Sequence, residues 1–319
     1  MGRLRVYLED TYGEEFRSVY RHFALSFHDK ALITGEAAEA AGAQGKFWEM
    51  HDLLYERQGE WSSLAVEDMP GVLVGYAKDL GLDSEQFAQD LEDHVYLDRV
   101  QAQTDESTSA GLPGTPSYVI NGVLYPAQEL GLHPTLVASF IDLMDLAPRQ
   151  YTEVPPQVID PDKEYAATIE TSKGDIVIEL YADRAPVTVN NFVFLARDGW
   201  YDDVTFFRVL EGFVAQAGDP TDTGLGGPGF RCDDEISPDL DFSEAGMIGM
   251  ASAGPGTGTV GSQFFITYAP VADLTGNYTI IGRVVEGMDV AETLTVRDPS
   301  QNPALPPGDT IETIVIEER

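Results

Sequence analysis

Phe206-Phe207-Arg208-Val209-Leu210-Glu211-Gly212-Phe213-Val214-Ala215-Gln216-Ala217-Gly218 carries the strongest structural signal in the second half of the chain. Aromatic and β-branched residues on both sides of Glu211-Gly212 predict two short strands joined by a turn. One cation, Arg208, and one amide, Gln216, interrupt what would otherwise be a plain apolar core. Gly261-Ser262-Gln263-Phe264-Phe265-Ile266 has the same character, an amide beside two aromatics in a predicted strand. A pocket built from both stretches would be apolar with a few aimed hydrogen-bonding groups, the usual make-up of a small-ligand or peptide site.

Outward from these stretches the pattern stays β-rich. Ala166–Glu170 and Asp175–Leu180 alternate around a Ser172-Lys173-Gly174 turn and predict a hairpin. Ala185–Ala196 predicts a helix with Pro186 in its first turn. A short helix is expected near Asp289–Leu294 and a last strand at Thr310–Ile316. Gly224-Leu-Gly-Gly-Pro-Gly229 and Gly254–Gly261 lack the Lys-Ser/Thr pair and the strand–loop–helix setting of a phosphate loop. They are expected to be turns that let strands and a peptide approach closely.

Three blocks carry a resemblance: Phe206-Phe-Arg-Val-x-x-Gly-Phe-Val-x-Gln-x-Gly-Asp219, Gly246-Met-Ile-Gly-Met-Ala-Ser-Ala-Gly254 and Gly261-Ser-Gln-Phe-Phe-Ile266. In this order and spacing, from about Ala166 to Glu318, the chain resembles the cyclophilin family of peptidyl-prolyl cis-trans isomerases. With the short strand spacing, the resemblance implies a mainly-β closed antiparallel barrel with two capping helices. It also implies that Arg208 and Gln216 are catalytic, and that Phe213, Val214, Phe265 and Leu274 form a proline pocket with Tyr278 in its wall. Gln263 and the backbone of Ala251, Ser252 and Ala253 would grip the flanking peptide. Two positions depart from many members: Asp273 stands where they carry Trp, and Tyr278 where they carry His.

Turning an X-Pro bond needs no nucleophile, metal or cofactor, and none is expected. Its barrier of roughly 18–20 kcal/mol comes from amide resonance lost at the midpoint. There the prolyl nitrogen turns pyramidal and can accept a hydrogen bond, so an aimed donor in a water-poor pocket lowers the barrier. Arg208, always charged and rigidly forked, is the expected donor.

Composition narrows the partners. The chain has 319 residues, enough for two domains, with 43% hydrophobic and 10% aromatic residues. No window approaches the roughly 18–20 apolar residues of a membrane span. Met1–Asp10 carries positive charge but no apolar segment or small-residue cleavage site, so a soluble chain without a signal peptide is expected. With 54 acidic against 19 basic residues the net charge is −35, which argues against nucleic acid or an anionic membrane as partner. Expected partners are unfolded or proline-containing polypeptide segments. The one cysteine, Cys232, precedes Asp233, Asp234 and Glu235, which predicts an inert thiol with a high pKa.

The first part reads differently. Val6–Thr11 looks like the end of a helix closed at Gly13, and Phe16–Phe23 alternates as a strand. Helices are expected at Lys30–Gly42 with Asp29 as cap, Lys46–Gln58, about Ala65–Leu80 and Ser84–Gln103. Thr115–Tyr125 predicts a hairpin turning at Asn121-Gly122, and a helix follows from Pro134 to Leu146. All five histidines lie here without metal-ligand spacing such as His-x-x-x-His. Pro148–Asp162 is Pro-rich and reads as an extended, semi-stiff linker. The expected division is residues 1–148, a linker over 149–164, and 165–319.

Tyr20-Arg-His-Phe-Ala-Leu25, His28-Asp-Lys-Ala31, Phe47-Trp-Glu-Met-His51 and Gly114-Thr-Pro-Ser-Tyr-Val-Ile-Asn-Gly122 resemble the DsbA-type family. This implies an α/β thioredoxin-like domain with a helical insertion and a cis bond at Thr115-Pro116. That family carries a strand and a Cys-x-x-Cys at the start of its first helix; neither stands here, and dithiol exchange needs a second thiol. Either the chain is an N-terminally truncated product, the favoured expectation, or the domain serves binding or spacing. A parent with the motif would be an oxidoreductase–isomerase fusion working outside the cytoplasm.

Overall fold

The computed structural model describes residues 2–254, 256–302 and 305–319, so Pro255 of the expected Gly254–Gly261 turn lies outside the described residues. The chain divides into two compact units, Met1–Pro134 and Thr135–Arg319.

The first unit is mostly helical: α1 (Gly2–Tyr12), α2 (Ala31–Ala43), α3 (Phe47–Glu56), α4 (Gln58–Trp61), α5 (Met69–Asp79), α6 (Ser84–Glu92) and α7 (Leu97–Ser109). The hairpin β1 (Val119–Ile120) and β2 (Val123–Leu124) and the short α8 (Ala127–Leu130) complete it. Ala37, Ala40 and Ala41 let α2 sit close to Met50 and Leu54 of α3, Leu73 and Tyr76 of α5, and Phe87 and Leu91 of α6. Asn121 and Gly122 both have positive φ, 46° and 85°, as a two-residue type I′ turn requires. The Thr115–Pro116 bond is cis.

The first unit departs from three local expectations. Among the described residues Phe16–Phe23 pairs with no strand: His22 N donates to Gln103 Oε1 at 2.8 Å and Ala24 N to Thr104 Oγ1 at 3.0 Å. Side chains of α7 thus satisfy amides that a neighbouring strand would otherwise take. The helix expected over Ser84–Gln103 breaks between α6 and α7, where His94 adopts φ 51° and its Nδ1 sits 3.1 Å from Glu36 Oε2. Asp29 does not cap α2; its carboxylate binds Lys30 Nζ at 2.9 Å. Asp83 does cap α6, accepting from Glu85 N and Gln86 N at 3.1 Å.

The second unit begins with α9 (Pro134–Leu146), whose first residue falls at the division between the units, and contains β3 (Tyr165–Thr171), β4 (Gly174–Leu180), α10 (Pro186–Arg197), β5 (Val204–Thr205) and β6 (Arg208–Leu210). There follow β7 (Val214–Ala217), β8 (Met247–Met250), β9 (Phe264–Thr267), β10 (Ile280–Glu286), α11 (Met288–Ala291) and β11 (Thr310–Glu318). The strands form one antiparallel sheet in the order β5-β11-β3-β4-β10-β8-β9-β7-β6. The strands at its two ends, β5 and β6, are separated in sequence only by Phe206-Phe207, a reach of roughly 10 Å. The sheet must therefore curl enough to bring its two ends within that reach. Among the described residues no ladder joins β5 to β6, so the expected closed barrel is a curled sheet. The groups that would close it have other partners: Phe206 N donates to Asp309 O, and Val209 exchanges two backbone bonds with Arg297.

Alternation sorts the side chains between two faces. Phe264 and Ile266 of β9 and Ala215 and Ala217 of β7 join Val189, Phe192 and Val193 of α10 in the main core. Phe265 and Val214, on the other face, join Phe242, Met247 and Ile280 in a smaller cluster. The Pro-rich segment is tied along its length to this unit. Val158 N and Ile159 N donate to Asn190 Oδ1, Asn190 Nδ2 donates to Pro156 O, and Arg197 Nη1 donates to Val158 O.

Cys232 is buried beside Val260, with which it exchanges backbone hydrogen bonds. Burial, with Glu235 and Asp233 adding to it, pushes the thiol pKa up. Iodoacetamide at neutral pH is expected to leave the native chain unmodified by mass spectrometry and to alkylate it fully after unfolding. Rapid native alkylation would contradict this environment.

Candidate functional site

Strand register places the site in one row across the sheet. Arg208 of β6 faces Gln216 of β7, Gln216 faces Phe265 of β9, Phe265 faces Gly249 of β8, and Gly249 faces Ile280 of β10. Directly opposed residues share a face, so this row lies wholly on the side away from the main core. At Gly249 a Cβ would collide with Phe265 Cζ and stand 2.9 Å from Phe242 Cζ. The missing side chain is what lets the Phe265 ring lie down on the sheet.

The apolar part of the site surrounds that ring. Phe242 stacks on Phe265 at 5.7 Å with a 27° interplanar angle, and Tyr278 meets it edge-on at 5.7 Å and 89°. Phe213, Leu274 and Ala251 pack against the same cluster while keeping part of their surface exposed, and Val214 is buried within it. The structure thus brings Phe213, Val214, Phe265, Leu274 and Tyr278 together.

The polar part is a chain of amides. Arg208 Nη1 donates to Gln216 Oε1 at 3.3 Å, and Gln216 Nε2 donates to Gln263 Oε1 at 3.0 Å. Gln263 Nε2 donates in turn to Gly224 O at 3.0 Å and Gly226 O at 2.9 Å. Each oxygen is therefore assigned by its partner: one amide flip would set donor against donor. Arg208 stays half-buried at the edge of the aromatic cluster, with donors left over after its bond to Gln216. The Asp298 carboxyl, held below its usual pKa chiefly by the Ser300 hydroxyl, feels Arg208 as a further positive charge.

Ala251, Ser252 and Ala253 follow β8 at the rim. Ala251 N donates to Gln263 O at 2.9 Å, Ala253 N to Thr259 Oγ1 at 2.7 Å, and Ser252 Oγ to Gly254 O at 3.0 Å. Two of the three amides expected to face a peptide thus have internal partners. Sequence reasoning missed Phe242, because Asp241–Ala245 has no periodicity, and missed Gly249, whose role shows only when the register sets it opposite Phe265. Asp273 lies exposed in a 3₁₀ turn (Ala272–Leu274), and Asn277 Nδ2 donates to its carbonyl.

An apolar cluster around Phe265 thus lies beside the Arg208 guanidinium, with the amides of Gln216 and Gln263 along one edge. Residues 166–316 match the family model described as cyclophilin type peptidyl-prolyl cis-trans isomerase, and residues 15–133 match the DSBA-like thioredoxin domain. Peptidyl-prolyl cis-trans isomerase ppi1 of Schizosaccharomyces pombe is 46% identical over 152 residues, 46% of this chain and 97% of that protein. Peptidyl-prolyl cis-trans isomerase-like 1 of Mus musculus is 48% identical over 138 residues, 42% of this chain and 80% of that protein. A crystal structure of a Cryptosporidium parvum cyclophilin type isomerase, obtained in the presence of the dipeptide Ala-Pro, is 36% identical, with a TM-score of 0.44 over 48% of this chain and 99% of that one. Through its second unit the chain belongs to the cyclophilin type peptidyl-prolyl cis-trans isomerase family, whose substrate is a proline-containing peptide.

Proposed function

We propose that the second unit isomerises X-Pro bonds in unfolded polypeptide segments, with Arg208 donating to the prolyl nitrogen as the amide twists. Phe213, Val214, Phe265 and Leu274 hold the proline ring and keep water out, with Tyr278 as the wall. Gln216 aims the guanidinium, while Gln263 and the backbone at Ala251–Ala253 hold the flanking peptide. The single observation that carries this reading is the register row that sets Arg208, Gln216 and Phe265 side by side on adjacent strands. A twisted amide has no resonance to spread its nitrogen lone pair, so this donor is stronger at the midpoint than in either ground state. Residues 1–148 are read as a thioredoxin-like domain, 149–164 as the connecting segment and 165–319 as the isomerase domain.

Titrating an Ala-Pro-containing peptide into the labelled full chain is expected to shift the backbone amides of Phe213, Gln216, Ala251 and Phe265. Shifts confined to residues away from this row would place the site elsewhere.

Asp273 offers no indole at the rim, which removes a hydrogen-bond donor and aromatic contact area. The cyclic-peptide inhibitor cyclosporin is therefore expected to bind weakly. Asp273→Trp is expected to tighten it by about tenfold, the ~1.4 kcal/mol within reach of one added aromatic contact. Tight inhibition of the unmodified chain would contradict the assignment of the rim.

A further inference from the structure

Residues 150 and 151 lie outside both matched segments, 15–133 and 166–316, yet they grip the loop that orients the site. Gln150 Nε2 donates to Gly227 O at 2.8 Å, and Tyr151 N donates to Pro228 O at 2.8 Å. The Tyr151 ring packs against Phe194, Trp200 and Phe230 with centroids 5.3, 6.0 and 6.0 Å away. Its hydroxyl donates to Asp198 Oδ2 at 2.5 Å; burial, then Asp198, raises its pKa, so it stays a donor. Arg149 closes the far side, its guanidinium 5.1 Å from the Trp200 ring and donating to Gly199 O and Trp200 O. At Gly229 a Cβ would stand 2.5 Å from Tyr151 O and 2.9 Å from Gln150 Cβ, so strap and loop meet backbone to backbone.

The same loop ends the amide chain of the site. Gly224 O and Gly226 O hold Gln263 Nε2, which leaves Gln263 Oε1 turned toward Gln216, and Gln216 Oε1 turned toward Arg208. Asp219 anchors the loop from within at Gly226 N, so losing the strap loosens this loop without releasing it.

We propose that Gln150 and Tyr151 are positioning residues for the isomerase site. By fixing the Gly227 and Pro228 carbonyls they hold residues 224–228 where Gln263 and Gln216 are pinned and Arg208 is aimed. The proposal rests on the isomerase reading of that site. It differs from a purely structural role because the coupling runs through oriented amides, whose disturbance changes turnover more than peptide binding.

The test uses the full chain with Tyr151→Ala, Tyr151→Phe and Gln150→Ala. It reads kcat and KM on an Ala-Pro peptide and the side-chain amide signals of Gln216 and Gln263. Tyr151→Ala is expected to lower kcat about tenfold with a smaller change in KM, a modest case of misplacement remote from the chemistry. Tyr151→Phe, which keeps the ring packing and the backbone bond to Pro228, is expected to recover most of the rate. Gln150 is exposed, so Gln150→Ala keeps the fold intact; it is expected to lower kcat a few-fold and to move the Gln263 amide signals. Wild-type kcat and unmoved amide signals in a folded Gln150→Ala or Tyr151→Ala chain would overturn the proposal. A wild type that does not isomerise the peptide removes the isomerase reading alone; the amide signals then decide the coupling, movement supporting it and constancy overturning it.

Discussion

Arg208→Ala is expected to lower kcat/KM on an Ala-Pro peptide by about 10²–10³-fold, the effect of removing one aimed donor from a transition state. The loss is expected on kcat, because the residues proposed to hold the ring are untouched and ground-state binding does not use the prolyl nitrogen. Stability is expected to change little: the side chain is half-buried, and its hydrogen bond to Gln216 is long at 3.3 Å. Arg208→Lys keeps the charge but loses the planar fork proposed to bond Gln216 and substrate together, so an intermediate rate is expected. Steady-state kinetics beside thermal unfolding of the same samples separates the two quantities. A folded Arg208→Ala chain with undiminished kcat would assign the donor to another group.

Phe264→Ala and Phe265→Ala, one residue apart, are expected to fail in opposite ways. Phe264 is fully buried, with Phe192, Tyr201 and Phe206 at centroid distances of 5.6, 5.7 and 6.4 Å. Removing its ring from that cluster costs about 3–5 kcal/mol. This loss is read as faster exchange of the Ala215 and Ile266 amides, with the remaining folded fraction still active. Phe265 points the other way, into the smaller cluster, where its loss removes the floor proposed to hold a bound proline. Phe265→Ala is expected to abolish measurable turnover while those core amides keep most of their protection. Equal effects of the two substitutions on stability and on turnover would contradict the division between the two faces.

That division was legible in the sequence because a strand reports its faces by alternation, and Gln263-Phe264-Phe265-Ile266 puts one aromatic on each. Arg208 and Gln216 were legible for a related reason: a cation and an amide within apolar strands are conspicuous. The hairpin turn at Asn121-Gly122 was legible because few residues tolerate its backbone angles. What escaped were properties of partners. Within Phe16–Phe23 burial alternates over residues 19–22, His22 and Tyr20 in and Arg21 and Val19 out, but a strand also needs a neighbour, and here α7 side chains stand in its place. The curled sheet stays unlaced between β5 and β6 because Asp309 and Arg297, about a hundred residues on, take the bonds that closure would use. Gly249 and Phe242 matter to the site only through the position of Phe265, which no local pattern encodes. The segment around Tyr151 shows the same limit: prolines announce an extended chain, but not what it lies against.

The most direct measurement is the rate of exchange between the cis and trans signals of a short Ala-Pro peptide in the presence of catalytic amounts of the folded full chain. Exchange far faster than the uncatalysed tens of seconds is expected, with a return toward the uncatalysed rate when Arg208→Ala replaces the wild type at equal concentration. Exchange left at the uncatalysed rate by folded wild type, with the peptide nonetheless bound at Phe265, would contradict it and leave a pocket that holds proline without turning it.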